Sequence, residues 1–173
     1  MSRDFTYEPH VGYGPLKFGM SAKQIVDILG EPKSEFVDAD VLDMDLFDAD
    51  EKALILTSKA FNYDDAVLDH DFLSVTFFQD KLVEIRIRVR GRDIPFGAEN
   101  LMDNNRKDLM RRLAENETEI YANGASYFFP KAGLQTDDPK FWKSRGTVDF
   151  VVGQYVLDRL DLDSWERLSE IDL

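Results

Sequence analysis

The alternation of apolar and polar positions is most regular in the middle of the chain. Val83, Ile85, Ile87 and Val89 fall on one side, and Glu84, Arg86, Arg88 and Arg90 on the other. A repeat of two is that of a β-strand, so Leu82 to Val89 predicts a strand with one face in a core. Phe72 to Phe78 precedes it with Gln79-Asp80 between, which predicts an antiparallel hairpin.

The period lengthens between Ser21 and Leu29, where Ile25, Ile28 and Leu29 give the i, i+3, i+4 stripe of a helix. Ser21 is a good N-cap, and Gln24 three residues on completes a capping box. Gly30 supplies a left-handed residue after the last turn, and Pro32 forbids continuation. A second helix is predicted over Glu99 to Glu115, with Leu101, Met102, Leu109, Met110 and Leu113 on its apolar side.

Strands are expected at Leu42 to Leu46, Ala53 to Ser58, Glu119 to Tyr121, Ser126 to Phe129, around Leu134, and Thr147 to Tyr155. Asn123-Gly124 reads as a turn, and residues 1–13 as a tail or first edge strand. Leu157 to Leu173 reads as a last helix around Trp165 and Leu168. The order is helix, strands, helix, strands. It predicts an α+β fold with short helices packed on antiparallel sheet, as two tandem helix-plus-sheet units. One domain over 1–173 is expected, with halves 14–91 and 92–156. Each helix has a similar lead-in, Pro15-Leu16-Lys17-Phe18-Gly19 and Pro95-Phe96-Gly97.

Composition narrows the chemistry. There is no cysteine, which removes disulfides and thiol nucleophiles and fits a reducing compartment. No apolar run follows Met1-Ser2-Arg3-Asp4 and none approaches membrane-spanning length, so a cytoplasmic protein is expected. The net charge is −13, with 21 Lys+Arg against 34 Asp+Glu. Phosphate backbones and anionic lipids repel such a chain, which argues against nucleic-acid and membrane partners. The basic ladder Arg86, Arg88, Arg90 and Arg92 reads as an exposed strand face paired with neighbouring acids.

Catalytic signatures are weak. A calcium loop started at Asp38 places Asp43 where glycine is required, and Asp69-His70-Asp71 would need ligands from elsewhere. Only His10 and His70 are available as imidazole bases, and Gly12-Tyr13-Gly14 lacks the rest of a phosphate loop. The expectation is therefore no catalytic residue, no metal and no cofactor, and a protein that is not an enzyme.

Acidity is concentrated rather than spread. Glu35 to Asp71 holds twelve acids against two bases, Lys52 and Lys59. Phe36, Met44, Phe47, Phe61 and Tyr63 interleave with them. A solvated edge strand kept from aggregating by charge explains the segment. A surface that steers association with a basic protein, anchored by aromatics, explains it equally well. On the second reading the partner-binding residues are Asp38, Asp40, Asp43, Asp45, Phe47, Asp48, Asp50, Tyr63, Asp64 and Asp65.

Gly14-Pro15-Leu16-Lys17-Phe18-Gly19-Met20-Ser21, closing at Gly30-Glu31-Pro32, resembles the lead-in of SmpA/BamE-like and β-lactamase-inhibitor-protein-like domains. In that pattern Gly-Met-Ser/Thr starts a short helix and Leu-Gly-x-Pro ends it before a sheet. The resemblance implies two such halves forming a concave sheet. Small acidic proteins of this kind also resemble bacterial immunity proteins. The function expected is an immunity or inhibitor protein that neutralises a basic toxin or enzyme. The alternative is a small hydrolase or ligand-binding domain with a pocket in a concave sheet.

Overall fold

The computed structural model describes residues 6–37, 49, 58–63, 72–88, 94–97, 99–101, 106–137, 147–151 and 165–168. Three short strands come first: β1 (Tyr7–Glu8), β2 (Gly12–Tyr13) and β3 (Leu16–Lys17), a small antiparallel sheet. Gly12 is required where β2 meets β3. Its φ is 147°, and a Cβ there would lie 2.1 Å from the Leu16 carbonyl oxygen. Tyr7, Tyr13 and Leu16 are buried, so of the two readings of residues 1–13, tail or edge strand, the strand holds for the described residues, and it contributes to the core.

Helix α1 (Ala22–Leu29) has both reciprocal capping bonds. The Gln24 amide donates to Ser21 Oγ at 3.3 Å, and the Ser21 amide donates to Gln24 Oε1 at 2.9 Å. The Ala22 amide donates to Asp80 Oδ1 at 3.2 Å, so a carboxylate from a distant turn meets the positive end of the helix. Gly30 takes φ 88° with ψ −174°, an extended rather than left-handed helical stop. Ile25 is fully buried, while Ile28 and Leu29 pack partly against the core.

Four strands follow as a meander: β4 (Ser34–Val37), β5 (Ser58–Tyr63), β6 (Phe72–Phe78) and β7 (Lys81–Arg88). Gln79 and Asp80 both have positive φ, 51° and 56°, the conformation that matches a tight hairpin to strand twist. One departure from strict alternation occurs here. The register shifts after Thr76, so that Thr76 faces Glu84 while Phe77 faces Leu82. Val83 is the extra residue of this bulge, and Leu82 joins the main core instead.

The second unit has the same order. A two-stranded hairpin comes first, β8 (Pro95–Phe96) in the predicted lead-in and β9 (Glu99–Asn100) where the first turn of the helix was expected. The Asn100 side chain holds it, accepting from the Ile94 amide at 3.0 Å. Helix α2 (Arg106–Glu115) follows, burying Leu109, Met110 and Leu113. Then come β10 (Ile120–Ala122), β11 (Ser126–Phe129), β12 (Leu134–Asp137) and β13 (Thr147–Val151). Glu166–Leu168, expected to be helical, is a strand, β14, paired with β10.

Among the described residues the large sheet has nine antiparallel strands, in the order β14-β10-β11-β12-β13-β7-β6-β5-β4. Each half is a helix followed by a four-stranded meander, and the last strands of the two meanders, β7 and β13, pair at the centre. The fold is thus α+β, with helices on antiparallel sheet. Both helices, the small N-terminal sheet and one face of the large sheet share a core. Among the described residues no helix is long and apolar enough to cross a membrane.

Tyr7 binds the parts together. Its ring stacks on Phe150 of β13 at 4.0 Å and on Phe96 of β8 at 5.7 Å. Its hydroxyl lies 2.8 Å from the Ala132 carbonyl and 2.7 Å from that of Gly133. Gly133 permits this approach, because at φ 60° a Cβ would sit 2.7 Å from Tyr7 Oη and 2.8 Å from the Val151 carbonyl oxygen. Gly133→Ala is expected to cost about 3 kcal/mol through clash plus left-handed strain. Gly124→Ala, at φ 78° with open space around it, is expected to cost only about 1 kcal/mol. Urea unfolding of the two variants measures the difference, and equal losses would remove the close-packing explanation.

Candidate functional site

The alternation in β7 decides what lies on each face. Ile85 and Ile87 are 0% and 1% exposed and point into the core, so Glu84 and Arg86 belong to the opposite face. Register carries that assignment across the whole sheet. Opposite Arg86 lie Ser74 on β6 and Asp149 on β13. One row then runs Ser34, Asn62, Ser74, Arg86, Asp149, Gln135, Phe128, Tyr121, Arg167 through all nine strands. A parallel row contains Phe36, Ala60, Thr76, Glu84 and Val151.

This face is divided in character. At the β10–β14 end, Tyr121, Phe128 and Val151 form a second apolar cluster against Trp165. Glu119 joins the edge there: it accepts from the Tyr121 hydroxyl at 2.9 Å and forms an ion pair with Arg167. Burial and the neighbouring Glu119 carboxylate both raise the Tyr121 hydroxyl above its ordinary pKa. The β4–β7 end is more open. Phe36 is 39% exposed, and the Arg86 side chain, 46% exposed, pairs with Glu84 at 3.3 Å. A cavity of about 350 Å³ lies there; Phe36, Lys59, Asn62, Ser74, Thr76 and the Glu84–Arg86 pair are among the residues that line it.

The lining is chemically mixed: hydroxyls and an amide supply donors and acceptors, Phe36 and Phe72 supply apolar contact, and Lys59 adds a second cation to the Glu84–Arg86 pair. The basic ladder is resolved at Arg86, which has a carboxylate beside it; Arg90 and Arg92 lie outside the described residues. His10 is exposed, its Nε2 3.0 Å from the Lys131 carbonyl, and His70 lies outside the described residues. Among the described residues no group of His, Asp and Glu is arranged to hold a metal.

Of the ten residues expected to bind a partner, Tyr63 is described, and its placement is a correction. It is 3% exposed, on the helix side of the sheet in the shared core, so its ring is not a surface anchor. Alternation along β5 requires this, because Phe61 and Tyr63 share a face. Asp38, Asp40, Asp43, Asp45, Phe47, Asp48, Asp50, Asp64 and Asp65 lie outside the described residues. The strands nonetheless fix where their segments are rooted. Residues 38–57 connect the paired ends of β4 and β5, whereas 64–71 connect β5 to β6 at the other end. The acidic stretch is thus two connections rooted at opposite ends of one strand. Asn62, Ser74 and Thr76 were not singled out by the sequence, although Ser74 and Thr76 alternate visibly with Leu73, Val75 and Phe77.

Compared with known proteins, the chain matches no family model, no curated protein and no solved structure.

Tyr63 has a measurable signature. Its buried hydroxyl has no hydrogen-bond partner among the described residues. Burial, and next the negative charge of Glu31, push its pKa from 10 up to about 12. The folded state therefore favours the neutral hydroxyl, a contribution fully present below pH 10 and lost as pH rises toward 12. Tyr63→Phe is expected to stabilise by about 1 kcal/mol at neutral pH, because it removes a desolvated, unpaired group. It is also expected to flatten the fall in stability between pH 10 and 12. Tyr7→Phe, which deletes a bonded hydroxyl, is expected to destabilise by a similar amount. Urea unfolding across pH separates the two, and a loss of stability in Tyr63→Phe would contradict the assignment.

Proposed function

We propose that this chain is a protein-binding inhibitor of the immunity type, which blocks a basic toxin or enzyme by covering its working surface. The supporting observation is the second face of the nine-stranded sheet. One face is committed to the helices and core, while the β4–β7 end of the other presents Phe36, Asn62, Thr76 and the Glu84–Arg86 pair. That mixture of an exposed aromatic with hydroxyl, amide and charge is typical of a protein interface. The protein's net charge of −13 adds long-range attraction for a cationic partner. Within the acidic connections that join β5 to its neighbours in the chain, Asp43, Asp45, Asp48 and Asp50 are the residues proposed to guide docking.

The resemblance of residues 14–32 to β-lactamase-inhibitor-protein-like domains points the same way, since those domains also place a short capped helix ahead of each sheet half. The alternative, a hydrolase or ligand-binding pocket, has less support. Its cavity is lined by the partly exposed Phe36 and Arg86, and the one carboxylate in its lining, Glu84, is paired with Arg86.

The test is co-expression with the product of the neighbouring gene in the native genome. Rescue of growth or inhibition of that enzyme is expected, with binding that weakens as salt rises. Reversing Asp43, Asp45, Asp48 and Asp50 to Lys together is expected to slow association by about tenfold or more. Phe36→Ser is expected to weaken the complex by about tenfold, mainly through faster dissociation. A complex indifferent to both changes would overturn the proposed surface.

A further inference from the structure

The two halves of the sheet end differently. In the second half the first strand after the helix, β10, is covered by β14, which pairs antiparallel with it through Ile120↔Leu168, Tyr121↔Arg167 and Ala122↔Glu166. In the first half the corresponding strand is β4, and among the described residues it is the last strand of the sheet. Ser34, Glu35 and Phe36 are all exposed there. An uncovered strand edge offers backbone groups for pairing.

We propose that β4 is a docking edge, and that an extended basic segment of the protein partner pairs with it antiparallel, in the position β14 occupies on β10. This rests on the reading of the chain as a protein binder. Alternation on β4 places Phe36 on the cavity side, in the row of Ala60 and Thr76, and Glu35 on the other side, opposite Phe61. A strand laid along this edge sets one side chain opposite Glu35 and the next beside Phe36. Cross-strand pairs favour opposite charge and apolar contact at such positions, so the segment alternates lysine or arginine with an apolar residue. β14 already follows this chemistry, bringing Arg167 to Glu119 at the edge it covers. A second copy of this chain fits less well. It would bring together two proteins each of net charge −13, whereas a cationic segment is attracted to one.

The probe is a blocked heptapeptide of alternating lysine and valine, with a control methylated on alternate backbone nitrogens. Methylation keeps the charge and removes the strand hydrogen bonds. With the full chain, the parent peptide is expected to slow amide exchange within Ser34–Val37 and leave Glu166–Leu168 unchanged. The methylated peptide is expected to bind about tenfold more weakly and give no protection. Glu35→Lys is expected to weaken the parent peptide by about tenfold, whereas Glu115→Lys, the same charge change at the end of α2, leaves it unaffected. Equal binding of the two peptides, protection elsewhere, or sedimentation showing two copies joined through β4 would each overturn the proposal. Failure of the edge test with toxin neutralisation intact would remove this proposal alone. Edge protection without neutralisation would uphold it and remove the inhibitor reading.

Discussion

The ladder between β7 and β13 is the constraint on which the rest of the structure depends. Five residue pairs, from Thr147↔Arg88 to Val151↔Glu84, join two meanders that otherwise share no strand. Antiparallel pairing fixes side-chain parity, so this one register aligns the faces of all nine strands. A slip of one residue would turn Phe150 out of the core while Ile85 stayed in it. The surrounding contacts hold that register. Tyr7 stacks on Phe150, Tyr13 packs on the same ring at 5.0 Å, and the Val151 amide donates to the Gly133 carbonyl at 2.9 Å.

Fixed parity also assigns the work of each face. The helix side takes the large aliphatic and aromatic side chains, including the edge-to-face pair Phe61 and Phe77 at 5.0 Å. The opposite side is left with what alternation places there: short hydroxyls on β6, charges on β7 and aromatics toward β11 and β10. A face of mixed polar and charged groups is therefore compatible with the packed scaffold, because none of those groups is needed in the main core.

Local signals were legible wherever the reason was local. The capping box at Ser21 and Gln24, the hairpin at Gln79-Asp80 and the α+β order all follow from spacing within a few residues. The misses have tertiary causes. Residues 6–17 look polar and glycine-rich, yet Tyr7 and Tyr13 are core because Phe150, more than a hundred positions away, receives them. Trp165 and Leu168 suggest a helix by spacing, but the free edge of β10 makes Glu166–Leu168 a strand. Tyr63 looks like a surface anchor in an acidic run until its parity with Phe61 on β5 is known. The concentration of acid between Glu35 and Asp71 is real in sequence. Its division by a six-residue strand emerges only from strand pairing.

The hydroxyl contact between Tyr7 and the Ala132–Gly133 turn spans 125 and 126 positions of chain. On a ribosome, Tyr7 emerges well over a hundred residues before the turn that receives it. The first half can complete its own meander and capped helix from sequence-local contacts, but Tyr7 and Tyr13 cannot pack on Phe150 until β13 is made. Closing so long a loop adds little entropic cost once the ends are ordered, yet it comes late. Tyr7 thus acts as a latch of the fold, a contact that forms only once the central strand β13 of the second half is in place.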